Sequence, residues 1–153
     1  MQQDRHAGNV VLLRGATLWM LMALLLAWCL VGLYNKAPYL NVVFAGKTSR
    51  VLQSHLDFLI MSSLILGYYA AKVQLPWHVR WAMVIGAFTN SSLFLLEAIF
   101  PALDPTLPNQ ANIGIWSQVF TVYLFASLLT TSYGFGKGAV IIFLSTFKNA
   151  PDH

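Results

Sequence analysis

The chain has 153 residues, enough for one domain; 58% of them are hydrophobic and only 9% are charged. Soluble domains carry roughly a quarter charged residues, so this composition excludes an ordinary soluble protein and indicates an integral membrane protein. The net charge of +4 comes from scattered lysines and arginines near helix ends, so it does not indicate nucleic-acid binding. The single cysteine, Cys29, excludes a disulfide or a cysteine-rich metal site within the chain.

Four apolar stretches are long enough to cross a membrane as helices. We predict spans over about 15–33, 52–73, 79–100 and 114–135, and a helical continuation of the last one to about 147. The first stretch follows a basic start, but its spanning length is unlike the short apolar region of a cleaved signal peptide. An up-down bundle of four transmembrane helices in a single membrane domain, an all-α fold, is therefore predicted.

The connections between the spans differ in length and composition. Residues 34–51 form a predicted loop, whereas Pro76 predicts a tight interfacial turn between the second and third spans. Three prolines in 101–112 predict an ordered, non-helical loop. Six lysines and arginines fall on the side of both termini and three on the other, which predicts cytoplasmic termini and a place in a bacterial inner membrane.

Three ionisable residues, His55, Asp57 and Glu97, lie inside these apolar stretches. A charged side chain at the centre of a membrane helix is unfavourable by roughly 2.5–3.5 kcal/mol, so such residues usually pair or bind something. Because consecutive spans are antiparallel, we expect all three at nearly the same depth, near the non-cytoplasmic side. His55 and Asp57 are two residues apart and therefore point in very different directions around one helix.

The third span adds Asn90, which shares a helix face with Glu97 seven residues later, and the fourth span adds Gln118 near the same side. Simpler roles are open for these residues. His55 could be hydrogen-bonded to a backbone carbonyl, the two carboxylates could be wetted helix-end residues, and Asn90 could join two helices by one hydrogen bond.

The chain contains no HExxH motif, P-loop or GxGxxG motif. A cytochrome with two axial histidines needs a second intramembrane histidine, and His55 is the single histidine within the predicted spans. A haem here would therefore have one axial histidine per chain and an open sixth position, which suits catalysis or gas binding better than electron transfer.

Short motifs in three of the spans carry a resemblance to a known family. They are Ser54-His55-Leu56-Asp57, followed by Met61, Leu64, Gly67 and Leu75-Pro76, then Gly86-Ala87-Phe88-Thr89-Asn90 and Trp116-Ser117-Gln118-Val119-Phe120. This pattern resembles the small membrane isomerases that include styrene oxide isomerases and hydroxylaminobenzene mutases, and the resemblance runs from the first span to about residue 147.

The resemblance implies a homotrimer that carries haem b near the subunit contacts, with His55 as the axial ligand of the iron. Ferric haem would act as a Lewis acid toward a small, apolar, aromatic substrate that arrives through the lipid bilayer. The implied rearrangement is of an aryl epoxide to an aldehyde or of an arylhydroxylamine to an aminophenol. Asn90 would orient the substrate. Glu97 is not part of the quoted motifs; in such an isomerase it could carry a proton or pair with a nearby cation.

Three positions that are polar in styrene oxide isomerases are apolar or lack a side chain here: Met61, Gly86 and Phe94. Together with Gln118 they form the predicted substrate pocket, which is more apolar than the family pattern implies. Two other functions are open on the sequence. One is a non-enzymatic membrane haem-binding protein, and the other is a haem-free, proton-linked transporter or interaction subunit.

Overall fold

The computed structural model describes residues 9–107 and 114–148, and these residues form helices and turns without a strand. Four of the helices are long and apolar enough to cross a membrane. They are α1 (Val10–Tyr34), α3 (Thr48–Ala70), α4 (Trp77–Ile99) and α5 (Ile115–Lys148). The short helix α2 (Pro38–Val43) follows α1, and a 3₁₀ turn (Pro101–Leu103) follows α4. The predicted all-α class with four potential membrane spans is confirmed.

The structure differs from the predicted connections at three places. Helix α2 occupies part of the predicted loop 34–51, since Pro38 at its first position fits a helix start. Helix α3 begins four residues before the predicted 52 and includes Arg50, whose charge is paired across the bundle. Pro101 starts one 3₁₀ turn in the loop predicted to be non-helical, and 108–112 of that loop lie outside the described residues.

Helix α5 continues without interruption to Lys148. Its 34 residues correspond to about 51 Å at 1.5 Å per residue, well beyond a ~30 Å hydrocarbon core. The glycine-rich stretch 134–138 does not break this helix. The structure therefore contains the predicted continuation as part of the same helix.

Helices α1, α3 and α4 share the apolar core, and α5 packs mainly against α4. Phe58 of α3 is fully buried at the centre of this core. Its ring packs near those of Trp19 from α1 and Phe88 from α4, with centroid distances of 6.1 and 6.2 Å. This packing fixes the rotation of α3, and so determines which of its polar residues face each neighbouring helix.

Two glycines allow the close approach of α4 and α5. A Cβ atom at Gly86 would lie 2.8 Å from the Cα atom of Thr131, and one at Gly134 would lie 2.7 Å from the backbone nitrogen of Met83. Small residues at helix contacts are a common means of close packing within membranes. Gly86 therefore serves as a packing position between α4 and α5.

Candidate functional site

His55 lies on the side of α3 that faces α1. Its Nδ1 atom is 2.8 Å from the backbone carbonyl oxygen of Ala23. A carbonyl oxygen only accepts hydrogen bonds, so this contact assigns the proton to Nδ1 and leaves a lone pair on Nε2 of the neutral ring. Within the described part of the chain, Nε2 has no hydrogen-bond partner.

This arrangement matches the way in which metal-binding histidines are usually held. Such a histidine donates its other N–H group to a carbonyl or carboxylate, which fixes the ring and its tautomer and raises the basicity of the ligating nitrogen. The ring of His55 is half-buried, and Leu52 and Leu56 beside it on α3 are exposed, as is Leu24 next to Ala23 on α1. A neutral imidazole nitrogen beside apolar side chains is the type of donor that a haem iron accepts.

Asp57 lies on a different side of α3 and faces α4. Its Oδ2 atom accepts a hydrogen bond of 2.9 Å from Nδ2 of Asn90, and both residues are half-buried. The partners of His55 and Asp57 are thus on different helices, as the rotation of about 200° between two residues two positions apart requires. Asn90 joins two helices, as one of the simpler roles open on the sequence proposed.

Glu97 belongs to an ion cluster at the end of α4. Its Oε2 atom is 3.0 Å from Nε of Arg50, yet this buried oxygen receives no hydrogen bond within the described residues. The Nε–H group of Arg50 instead donates to Oδ2 of Asp104 at 3.1 Å. Glu97 is therefore held in place by charge attraction to a guanidinium whose hydrogen bonds go elsewhere.

Asp104, just after the 3₁₀ turn, is the best-satisfied carboxylate of this cluster. It is fully buried, and its Oδ1 atom accepts from Nη2 of Arg50 at 2.5 Å and from the backbone N–H of Thr106 at 2.9 Å. The Arg50 guanidinium, followed by the Thr106 donors, holds the pKa of the Asp104 carboxyl well below its usual range. The hydroxyl of Thr106 also accepts a hydrogen bond of 2.8 Å from Lys47.

The three ionisable residues do not form one layer. Asp57 is level with Asn90, whereas Glu97 is level with Arg50, seven residues earlier on α3. Seven residues of a helix span about 10.5 Å, so two turns separate the two carboxylates. The expectation of a common depth is therefore wrong for Glu97, because α3 begins earlier than its apolar sequence indicates.

The residues of the predicted substrate pocket have different neighbours in the structure. Met61 packs against the core shared by α1, α3 and α4, and Gly86 is buried against α5. The ring of Phe94 lies 5.9 Å from the guanidinium carbon of Arg50. Gln118 is exposed on α5.

Sequence reasoning missed Arg50 and Asp104 as site residues. Both fall within predicted loops, and their pairing joins positions 54 apart in the chain. One available signal was that Asp104 lies among prolines and leucines, where an acid needs a partner if the segment packs onto the bundle. Sequence reasoning also missed an apolar cavity of about 520 Å³ between α4, the 3₁₀ turn and α5.

Comparison with known proteins gives no match: no family model, no curated protein and no solved structure is similar to this chain. The resemblance to membrane isomerases stays a prediction carried by the short motifs. Among the described residues, no three His, Cys, Asp or Glu side chains are grouped to hold one metal ion. His55 offers a single nitrogen donor, Nε2, rather than part of a multi-residue metal site.

Proposed function

We propose that this protein is a membrane-embedded isomerase that uses haem b to rearrange a small, apolar, aromatic substrate. The observation that carries the proposal is the His55 ring, which is oriented by the Ala23 carbonyl and presents an unpartnered Nε2 atom beside exposed leucines. The motifs around His55 and Asn90 support the same family of reactions. The proposal includes both the epoxide and the arylhydroxylamine rearrangement.

In this proposal His55 binds the iron through Nε2, while the Nδ1–H···O=C hydrogen bond to Ala23 keeps the ring in one tautomer. Haem held there would supply a Lewis acid for a substrate oxygen or nitrogen, and no electron donor would be needed because the rearrangement has no net redox change. The leucine-rich surroundings exclude water and admit an apolar substrate from the bilayer.

Asn90 is the proposed substrate-orienting residue, and its amide is fixed by the Asp57 carboxylate. Within one chain this pair joins α3 to α4, whereas His55 faces α1. A ring of three chains would place the His55 side of one chain against another side of its neighbour, as closed rings with head-to-tail contacts do. We therefore include the homotrimer in the proposal, with both termini on the cytoplasmic side.

Glu97 fits a pairing role better than a proton-carrying one, because its carboxylate already lies beside Arg50. Because Glu97 is already paired with Arg50, a second candidate function is also favoured. The second candidate is a haem-binding membrane protein without turnover, in which His55 is used in the same way.

A turnover assay with haem-loaded protein separates the two candidates. The wild type is incubated without oxygen or reductant with an aryl epoxide and, separately, with an arylhydroxylamine, and products are followed by chromatography. We expect an aldehyde or an aminophenol from the wild type, and a rate lower by roughly 100-fold for Asn90→Ala, as for the loss of one aligned hydrogen-bond donor.

The matched control is Asn41→Ala, an exposed asparagine on α2, which should keep the wild-type rate. Both variants should retain haem, since neither residue contacts His55. Haem-loaded wild type that converts neither substrate would refute the isomerase and leave the haem-binding protein as the function.

A further inference from the structure

An apolar cavity of about 520 Å³ lies between the Glu97 end of α4, the 3₁₀ turn and α5. The lining includes Leu96 of α4, Phe100 just after that helix, Leu103 of the 3₁₀ turn, and Trp116, Phe120 and Tyr123 of α5. The volume falls within the range of roughly 300–1,000 Å³ that is usual for small-molecule sites. No function proposed above uses this cavity.

The roof of the cavity is fixed independently of any occupant. Ala102 and Leu103 of the 3₁₀ turn line it, and Asp104 follows immediately. Asp104 is fully buried and takes hydrogen bonds from Arg50 and Thr106. The cavity is therefore preformed. A preformed site loses less conformational entropy on binding than a mobile segment does, and so binds its ligand more tightly.

The lining chemistry selects an uncharged, flat ligand. Four aromatic side chains line the cavity, and aromatic rings bind other rings through offset-stacked and edge-to-face contacts. The Tyr123 hydroxyl, 2.7 Å from the hydroxyl oxygen of Ser92, already has a partner. Trp116 and Phe100 are exposed on the outer surface, so an apolar molecule can enter from the bilayer.

We propose that this cavity is a binding site for a small, planar, aromatic hydrocarbon-like molecule that partitions into the membrane. The site is separate from His55, which lies between α1 and α3, and it binds its ligand whether or not haem is present.

The test uses photolabelling of the full-length protein in phosphatidylcholine nanodiscs with an uncharged trifluoromethyl-aryl diazirine. Adducts are mapped by mass spectrometry, with excess naphthalene or hexadecane as the competitor. The expected result is saturable labelling of Trp116 and Phe120 that naphthalene suppresses and hexadecane does not. Equal suppression by hexadecane would assign the cavity to lipid acyl chains and overturn the proposal.

A pair of valines on α5 gives a matched comparison. Val119 lines the cavity, whereas Val122 lies outside it, and both are exposed. Val119→Trp should lower the saturable labelling about tenfold, equivalent to ~1.4 kcal/mol of binding free energy, and Val122→Trp should not change it. Unsaturable labelling spread evenly over lipid-facing residues such as Trp28 would also overturn the proposal, and this wild-type result does not depend on whether Val119→Trp folds.

Discussion

Replacing Asp104 by asparagine tests whether its ion pair with Arg50 holds the 3₁₀ turn against the bundle. The change keeps the shape of the side chain but removes its charge and turns an amide group toward the guanidinium. Removing one partner of a buried ion pair is destabilising by about 3–5 kcal/mol. Arg50 retains Glu97 at 3.0 Å and Gln53 at 2.8 Å, so we expect the lower end, about 3 kcal/mol.

The assay is reversible unfolding in mixed micelles of dodecyl maltoside and sodium dodecyl sulfate, followed by circular dichroism. Asp57→Asn is the matched control, since the new amide oxygen can still accept the hydrogen bond from Asn90. We expect the control to lower the free energy of unfolding by about 1 kcal/mol or less. If Asp104→Asn changed the stability no more than Asp57→Asn does, the role given to the Arg50 cluster would be wrong.

Two further predictions concern stability. Gly134→Ala should lower the free energy of unfolding by about 1–3 kcal/mol, because the added methyl group overpacks against Met83. Gly136 has open space around it, so Gly136→Ala should leave the free energy of unfolding unchanged or raise it by up to about 1 kcal/mol. Equal effects of the two changes in the same unfolding assay would contradict the close approach of α4 and α5. Arg50 holds the pKa of Asp104 below its usual range. The ionised Asp104 carboxylate should therefore contribute fully to the free energy of unfolding above its pKa in the unfolded chain, about 3.9, and this contribution should decline as the pH falls further. Unfolding measured from pH 6 down to pH 2.5 should show this loss in the wild type and a weaker one in Asp104→Asn; parallel curves would refute the assignment.

The four spans could be predicted from the sequence because their apolar runs exceed the width of a membrane, whatever the details of packing. Helix ends were less predictable where a charge is paired inside the bundle. Arg50 falls in the predicted loop 34–51, and its partner Asp104 is separated from it by a whole helical hairpin. Short-range patterns contain no information about such a pair.

For the candidate site, helical spacing predicted that His55 and Asp57 face different directions, and the structure gives them partners on α1 and α4 respectively. Spacing did not predict that Gly86 would be covered by α5, because this depends on how closely two helices approach. The cavity near Trp116 could not be predicted from the sequence either, because three separate elements form it.

The binding of haem by His55 is tested most directly by the absorption spectrum of the purified protein, as isolated and after dithionite. Wild type grown with added haem should show a Soret band that shifts on reduction. His55→Ala should lose that band, and His78→Ala, which removes the histidine beside Lys137, should keep it. Absence of a Soret band in the wild type, or an unchanged band in His55→Ala, would contradict the account.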